Sequence, residues 1–289
     1  MFGLKRKPPY YRSVREVADN DKKPKNDTTN SPKKFIYGNY NRYYGYRNPS
    51  REPDGRLSLM KKEWFEGKNI LDVGCNVGQV TLAIATNFLP KTIVGMDIDR
   101  ELILVAKKNI RHCLIDNSDG DLGAGESACD GGGKTENGVD ESKNSSASND
   151  IKRVHLLKSV FFIHGNYVPE DDGGVDLVIE EYDVILALSI TKWIHFNFGD
   201  DGLKRSFKKM YKQLRVSGLL VLEAQEWSSY KKKKKLSDTI YQNYLSIQFK
   251  PDQFLDYLTN NIGFQLIDTL LPKHVQSKGF QRPIWIMQK

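Results

Sequence analysis

The segment at 69–78, Asn-Ile-Leu-Asp-Val-Gly-Cys-Asn-Val-Gly, constrains the fold more than any other part of the chain. Its first half is a short apolar run that predicts a strand, and its middle residues form a glycine-containing turn. Gly78 then begins a segment with helical periodicity. A strand that turns at glycine into a helix is the first half of a nucleotide-binding βα unit. The alternative is an ordinary turn between a strand and a helix, since such turns often contain glycine.

The rest of the chain alternates between strand-like and helix-like segments. Strands are predicted at 70–73, 92–97, 160–164, 182–188, 217–223, 264–270 and 283–287. Helices are predicted at 57–65, 79–86, 101–113, 200–214, 237–245 and 251–260. This order predicts an α/β domain of the Rossmann type, with a mostly parallel seven-stranded sheet and helices on both faces. Because the last two strands follow each other directly, the final strand is predicted to be antiparallel.

Two segments are too polar to contribute to a core. Residues 1–34 are predicted to be a disordered basic and polar tail, and 117–150 a disordered acidic insertion rich in Gly and Ser. The domain proper is therefore predicted at 35–289. The chain carries a formal charge of +8, although the insertion contains eight acidic residues and only two lysines. The remaining residues are correspondingly more basic, which suits a polyanionic partner such as nucleic acid.

The three cysteines, at 75, 113 and 129, form no C-x-x-C pair and no cluster with zinc-ligand spacing. This pattern predicts a reducing compartment and no bound metal. No apolar run approaches 18 residues, and the first residues lack an apolar signal core. We therefore expect a soluble intracellular protein.

The spacing Asp72-x-Gly74-x-x-x-Gly78 resembles motif I of the class I S-adenosylmethionine (SAM) methyltransferases. Asp97 follows the second predicted strand, 25 positions after Asp72, where a carboxylate can accept hydrogen bonds from both ribose hydroxyls. The alternative is that Asp97 caps the next helix. Gly165, Asn166 and Tyr167 follow the third strand, where they can contact adenine.

The methyl acceptor is expected beside the segment after the fourth strand, Leu188 to Trp193. That segment differs from the Asn/Asp-Pro-Pro-Tyr motif of amino-group methyltransferases. Its Lys192 fits an anionic acceptor, because a phosphate oxygen needs cations to position it rather than a base. Lys192 can alternatively be an ordinary surface lysine. We interpret His195 as structural rather than as a general base.

Three further segments combine aromatic and cationic residues. The stretch 37–56 is rich in Tyr and Arg; its tyrosines at 37, 40 and 44 either share a helical face against the sheet or bind a nucleotide and its phosphates. The run Lys231–Lys235 can be a solvated charge cluster, can contact the RNA backbone or can serve as a nuclear import signal. The segment 277–283 either stacks on a base or is a polar turn.

Together these segments resemble the Bin3 family over about 35–289. The matching stretches are Tyr-Gly-Asn-Tyr at 37–40, Tyr-Tyr-Gly-Tyr-Arg-Asn-Pro at 43–49, Asp-Gly-Arg-Leu at 54–57, Leu-Asp-Val-Gly-Cys-Asn-Val-Gly at 71–78, Gly-Met-Asp-Ile-Asp at 95–99, Gly-Asn-Tyr-Val at 165–168, Leu-Ser-Ile-Thr-Lys-Trp at 188–193, Gly-Leu-Lys-Arg at 202–205, Glu-Trp-Ser-Ser-Tyr at 226–230 and Ser-Lys-Gly-Phe-Gln-Arg-Pro at 277–283. The resemblance implies methyl transfer from SAM to the 5′-terminal γ-phosphate of an RNA polymerase III transcript. The acidic insertion departs from the family pattern but touches no predicted site residue.

The resemblance also assigns roles. It implies that Lys192, Tyr43 and Arg47 surround the 5′ phosphates as catalytic residues. It places these residues at SAM: Tyr44, Arg56, Asp72, Gly74, Cys75, Asn76, Gly78, Asp97, Ile98, Asn166, Tyr167 and Leu188. It places Tyr37, Trp193, Phe280 and Arg282 at the RNA, with Phe280 stacked on the first base. It further implies a monomeric catalytic domain in the nucleus, with a La-related protein in the same ribonucleoprotein.

Three other functions stay open from the sequence. The chain can be a methyltransferase for 5′-monophosphate RNA, the activity of a related branch of the family. It can be an RNA-binding scaffold subunit that keeps its product bound, although the Asp72, Gly74, Gly78 and Asp97 set favours retained cofactor binding. A small-molecule methyltransferase fits the basic composition less well.

Overall fold

The computed structural model describes residues 35–40, 54–116, 154–272 and 281–289. Its centre is a seven-stranded sheet with the order β3-β2-β1-β4-β5-β7-β6. The strands are β1 (Asn69–Val73), β2 (Thr92–Asp97), β3 (Val160–His164), β4 (Tyr182–Leu188), β5 (Leu214–Glu223), β6 (Gln265–Leu270) and β7 (Ile284–Gln288). All neighbours are parallel except β7, which runs antiparallel to both β5 and β6. The predicted class I methyltransferase topology, with an antiparallel last strand, is confirmed.

The α-helices of the described residues include α1 (Gln79–Phe88), α2 (Arg100–Asp116), α3 (Asp172–Asp176), α4 (Thr191–Gln213) and α5 (Asp238–Ser246). Residues 154–159 are also helical. A composite helix follows α5, with 3₁₀ turn Pro251–Gln253, α-helical Phe254–Asp256 and π-helical Tyr257–Ile262. In chain order, β2 and β3 lie on one side of β1, whereas β4 and the later strands lie on its other side. Because parallel crossovers are right-handed, this reversal places α1 and α4 on opposite faces of the sheet.

Most predicted elements agree with the structure to within a few residues, and the exceptions have local causes. The predicted helix at 57–65 is two short 3₁₀ turns, Leu57–Leu59 and Lys62–Trp64. The short helix α3 was not predicted. The expectation of a shared helical face for Tyr37 and Tyr40 is wrong, since residues 35–40 form a turn at Ile36 and Tyr37 and otherwise have no regular secondary structure. Tyr44, the tail 1–34 and the insertion 117–150 lie outside the described residues, so these predictions stay open.

The largest difference concerns α4, predicted to begin near Asp200. The helix begins at Thr191 and is interrupted at Gly199, whose backbone has φ 65° and ψ −168°. Only the part after this glycine has the amphipathic pattern visible in the sequence. The part before it, Thr191 to Phe198, lies directly after β4 and carries the residues predicted to contact the methyl acceptor.

Two apolar clusters hold these elements together. The larger one joins the inner strands to α1 and α2 through Ile70, Ile84, Ile93 and Ala106, all fully buried. The smaller one packs Tyr230 and Ile240 against Phe196 of α4. The smaller cluster thereby attaches the segment after β5, and α5, to the start of α4.

Candidate active site

A cleft lies at the carboxyl ends of β1, β2 and β4, where the order of the sheet reverses. The cleft is partly open to solvent. Described residues that line it are Tyr37, Gly38, Asn39, Arg56, Val73, Gly74, Asn76, Met96, Asp97, Ile98, Gly165, Asn166, Tyr167, Val168, Leu188, Ser189, Ile190, Trp193, Ile194 and Phe198. The topology therefore brings together the predicted residues that follow four different strands.

The glycine turn after β1 forms one wall of the cleft. Gly74 has φ 76°, and a Cβ atom there would lie 2.3 Å from Cγ2 of Ile190. Both the backbone conformation and the lack of space therefore require glycine. The N–H groups of Gly74 and Cys75 donate to the carbonyl oxygen of Met96, at 2.8 and 3.0 Å, which fixes the turn against β2.

Asp97 ends β2 and is nearly buried at the edge of this turn. Its Oδ2 accepts a hydrogen bond from the Asn76 N–H at 2.9 Å, and its Oδ1 accepts one from the Asp99 N–H at 2.9 Å. Burial raises the pKa of this carboxyl. A carboxylate has about four acceptor positions, so two further donors can be accommodated. The side chain thus has the capacity to hold the two hydroxyls of a ribose.

Three predicted cofactor residues support the turn from behind and are not among the described lining residues. Asp72 accepts from Oγ1 of Thr81 at 2.6 Å, and its complete burial raises its pKa to about 6. Cys75 is buried, and burial, followed by the nearby Asp72 carboxyl, raises the pKa of its thiol. Gly78 precedes α1 with φ 77°, and a Cβ there would meet the ring of Phe162 at 2.4 Å.

Asn166 and Tyr167 form the wall of the cleft beyond β3. Oδ1 of Asn166 accepts from the Val168 N–H at 3.1 Å, and the Tyr167 hydroxyl donates to Oε1 of Gln213 at 3.0 Å. The ammonium of Lys209 lies 4.2 Å from the Tyr167 ring centroid, and burial lowers the pKa of Lys209 to about 8. Both predicted adenine contacts are therefore held in fixed positions.

A buried ion-pair cluster lies between the ends of β4 and β5. Glu223 is completely buried and binds two guanidinium groups, those of Arg56 and Arg282. Arg56, only 1% exposed, also forms a bidentate pair with Asp54. Ser189 has φ 60°; its hydroxyl donates to Glu223 at 3.0 Å and accepts from Nη2 of Arg282 at 2.7 Å. The cluster joins the segment before β1, the ends of β4 and β5 and the segment before β7.

Glu223 and Asp54 were not among the predicted site residues. Glu223 is an acid at the carboxyl end of a buried strand, the same criterion that identified Asp97. That signal was therefore present in the sequence. The pairing of Arg56 with Arg282 through one carboxylate was not visible, because these two residues are far apart in the chain.

Lys192 lies in the first turn of α4 and is mostly buried. Its Nζ is 3.4 Å from Oγ of Ser229 and 5.1 Å from the ring centroid of Trp193. Its backbone N–H donates to Oε1 of Gln225 at 3.0 Å. The described cleft lining includes its neighbour Trp193 but not Lys192 itself. The structure thus places the lysine next to the cleft wall, on the side of the segment that follows β5.

Tyr37, Gly38 and Asn39 cross the front of the cleft. A Cβ at Gly38 would lie 2.2 Å from the Trp193 ring, so the chain contacts this indole directly. The Asn39 amide donates to the Asp99 carboxylate. This segment therefore connects the wall after β2 with the wall formed by α4.

His195 is structural, as interpreted from the sequence. It is fully buried, with Nε2 2.7 Å from Oδ1 of Asp200 and Nδ1 3.3 Å from the Tyr230 hydroxyl. Burial lowers the pKa of its imidazole. Among the described residues, no His, Cys, Asp and Glu group is arranged to hold a metal ion, and no helix there is long and apolar enough to cross a membrane.

Four predicted site residues, Tyr43, Tyr44, Arg47 and Phe280, lie outside the described residues. Their predicted roles therefore rest on the sequence alone. Among the described residues, Asn39 and Arg56, which flank residues 41–53, line the cleft, and Arg282 binds Ser189 of its lining.

Comparison with known proteins gives consistent similarities. A family model described as Bicoid-interacting protein 3 (Bin3) matches residues 182–289. The human 7SK snRNA methylphosphate capping enzyme is 47% identical over 274 residues, covering 89% of this chain and 40% of the human protein. The chain thus spans about two fifths of the length of that relative.

Two other relatives match over most of their own length. The Drosophila melanogaster U6 snRNA methylphosphate capping enzyme Amus is 39% identical, covering 88% of this chain and 75% of the relative. A probable RNA methyltransferase of Arabidopsis thaliana is 37% identical, covering 88% of this chain and 81% of the relative. The similarity to these two relatives therefore extends over most of this chain.

Proposed function

The chain belongs to the Bin3 family, and from this premise we propose that it is a SAM-dependent RNA methyltransferase. The acceptor is the 5′-terminal γ-phosphate of a 7SK-like small nuclear RNA. The observation that carries the proposal is the cleft at the sheet reversal, where Asp97 and the Gly74 turn face the start of α4. The names of the human and Drosophila relatives, both methylphosphate capping enzymes, support the acceptor.

The residues that line the cleft fit SAM, which supplies a methyl group on a positively charged sulfur. Asp97 accepts the ribose hydroxyls, because two of its acceptor positions are not used by Asn76 or Asp99. The remaining assignments place Gly74 and Asn76 at the carboxypropyl and ribose region, Ile98, Asn166 and Tyr167 at adenine, and Leu188 at the sulfur. Tyr44 and Arg56 contact the methionine end, while Asp72, Cys75 and Gly78 hold the turn in shape.

The acceptor is positioned by cations and aromatic rings. A phosphate oxygen is already anionic, so the protein has to align it with the methyl carbon and exclude water. Lys192, Tyr43 and Arg47 bind the 5′ phosphates. Tyr37, Trp193 and Phe280 contact the first nucleotides, and Arg282 acts there together with its partner Glu223. The packing of Lys192 against Trp193 and Ser229 supports its role, since it restricts where the ammonium can lie.

The proposal is tested with short RNAs of defined 5′ end and radiolabelled SAM. We expect methyl incorporation into 5′-triphosphate RNA and almost none into 5′-hydroxyl RNA. Lys192→Ala should lower kcat by about 100-fold or more, by analogy with the loss of a single charge-stabilising donor, while binding of S-adenosylhomocysteine is retained. Lys68→Ala is the control, because Lys68 is exposed and directly precedes β1, at the end of that strand away from the cleft. Equal labelling of both RNAs would exclude the γ-phosphate as acceptor.

The same assay separates the two other RNA functions. A 5′-monophosphate RNA, run beside the triphosphate, identifies the alternative acceptor. A burst equal to the enzyme concentration, followed by a slow steady rate, identifies an enzyme that retains its product as a scaffold. Nuclear localisation and a La-related partner belong to this proposal too, and co-precipitation of the full-length protein from nuclear extract tests them.

A further inference from the structure

A row of lysines lies over aromatic rings beside the cleft, between the end of β5 and the composite helix. We call it the lysine–aromatic surface: Tyr40, Trp227, Lys233, Lys234, Tyr244 and Lys250. Trp227 and Tyr244 are stacked, with ring centroids 5.2 Å apart and planes inclined by 8°. Their rings form the rigid centre of the surface.

Each lysine of the surface lies over one of these rings. The Nζ of Lys233 lies 5.2 Å from the Tyr40 ring centroid, that of Lys234 lies 4.7 Å from Tyr244, and that of Lys250 lies 5.8 Å from Trp227. A cation at this distance is attracted by the negative face of the ring. The rings therefore hold three ammonium groups in defined places, which a freely solvated lysine run does not do.

The surface is continuous with the cleft. The Tyr40 ring lies 6.1 Å, edge-to-face, from Trp193, which lines the cleft. Ser229, beside the stacked Trp227, lies 3.4 Å from Nζ of Lys192. A chain that has its terminal phosphates at Lys192 therefore has the lysine–aromatic surface next to it.

The surface is strongly basic. Residues 226–250 contain six lysines but only two acidic residues, Glu226 and Asp238. Among the residues that the structure describes, none of these six lysines forms a salt bridge. Their ammonium groups are thus not neutralised by neighbouring carboxylates, and they remain available to an anionic ligand.

We propose that the lysine–aromatic surface binds the phosphodiester backbone of the RNA nucleotides that follow the 5′ end. The inference rests on the proposed function, because that function places the 5′ phosphates at Lys192. It thereby sets which end of the RNA lies in the cleft. Phosphate contacts position a nucleic acid without reading its sequence. The surface therefore gives the enzyme a preference for RNA long enough to extend beyond the cleft.

The test compares two variants with the same change of charge. Lys233, Lys234 and Lys250 are replaced together by Gln; in the control, the exposed Lys68, Lys107 and Lys108 are replaced by Gln. Substrates are a 5′-triphosphate trinucleotide and an unstructured RNA of about 20 nucleotides. We expect KM for the longer RNA to rise about tenfold or more in the first variant only, with KM for the trinucleotide unchanged in both.

Salt dependence supplies a second measurement. The slope of log Kd against log salt concentration for the longer RNA should become shallower by about 2 when three phosphate contacts to a single strand are lost. Replacing the same three lysines by Arg should restore both slope and affinity, because the positive charges remain. Loss of affinity in the Arg variant equal to that in the Gln variant would overturn the proposal.

Binding of a 5′-hydroxyl RNA of about 20 nucleotides is measured by fluorescence anisotropy. This measurement separates failure of the proposed function from failure of the proposed RNA-binding surface. If the wild-type protein methylates no RNA, the proposed function fails; the surface is still supported if the Gln variant alone loses affinity for this RNA. If the Gln variant and its control bind this RNA equally well, the lysines are only a solvated cluster or an import signal, and the inference is wrong.

Discussion

At the scale of single residues, acids at strand ends have different tasks in this protein. Asp97 ends β2 and keeps acceptor capacity towards the cleft, whereas Glu223 ends β5 and is occupied by two guanidinium groups. A buried carboxylate is costly unless its charge is compensated and hydrogen-bonded. The Arg56 and Arg282 pairs, with the Ser189 hydroxyl, supply that compensation.

Glu223→Gln should therefore destabilise the protein strongly. The substitution leaves Arg282 without its carboxylate partner and Arg56 with Asp54 alone, and breaking a buried ion pair costs about 3–5 kcal/mol. Urea unfolding followed by circular dichroism measures the change. Glu226→Gln, an exposed position three residues further on, should change the free energy of unfolding by less than about 0.5 kcal/mol. Equal effects of the two substitutions would show that the cluster contributes little to stability.

At the scale of elements, the two parts of α4 have different roles. Before Gly199 it presents Lys192 and Trp193 beside the cleft, and after it the helix packs an amphipathic face on the sheet. The amphipathic half was predicted because apolar residues recur there every three to four positions. The first half was not predicted to be helical, because its apolar residues are divided between the cleft and the smaller cluster and no single face is visible.

Gly199→Ala should test whether this interruption depends on glycine. A Cβ there would meet no atom within 4 Å, so any cost comes from the backbone, which has φ 65° and ψ −168°. That region is essentially restricted to glycine, and we expect a loss of about 1–3 kcal/mol relative to Gly165→Ala. Gly165 is a matched control, because its φ lies outside the left-handed region and its nearest neighbour would be Met96 at 4.0 Å.

Chemical denaturation of both variants gives the comparison. Since both changes are Gly to Ala, their effects on the unfolded chain are similar and cancel in the difference. If the two variants are equally stable, the kink at Gly199 does not require glycine, and the helix can continue through it.

At the scale of the whole molecule, the order of the sheet assembles the cleft. The predicted residues that line it come from the segment before β1 and from the ends of β1 to β4, and they meet because the strand order reverses beside β1. The central strand also contains an ionisable group, Asp72, whose side chain is entirely enclosed. Its charge state is therefore coupled to unfolding of the entire domain.

Stability should fall as pH rises through the pKa of Asp72. Burial raises this pKa from 3.8 to about 6, so the folded state binds the proton more tightly than the unfolded state. The associated stability is complete below 3.8 and is lost as pH rises through about 6. Asp72→Asn removes this contribution, so its stability relative to wild type should improve by about 2.4 kcal/mol between pH 4 and pH 7.

Unfolding curves at half-unit pH steps measure this difference. Asp252→Asn, on an exposed side chain, is the control for the change of charge. A difference between Asp72→Asn and wild type that does not depend on pH would mean that Asp72 has the same proton affinity in the folded and unfolded states.

The sequence by itself determined the fold class, the positions of the strands and most residues around the predicted cofactor site. These depend on local signals, since apolar periodicity, a glycine turn and an acid at a strand end are each contained in a few neighbouring residues. Asp97, the Gly74 turn and Asn166 could be identified in this way. Strand ends meet at one edge of a parallel sheet, so their proximity also followed from the predicted topology.

Only the tertiary structure decided which distant groups are paired. Arg56, Glu223 and Arg282 are separated by 167 and 59 positions along the chain, and no local pattern indicates that one carboxylate binds both guanidinium groups. The contact between Lys192 and Ser229, and the lysines that lie over Tyr40, Tyr244 and Trp227, are of the same kind. Such contacts depend on how helices and loops pack over the sheet, which is set by the summed burial of many side chains rather than by neighbours in the sequence.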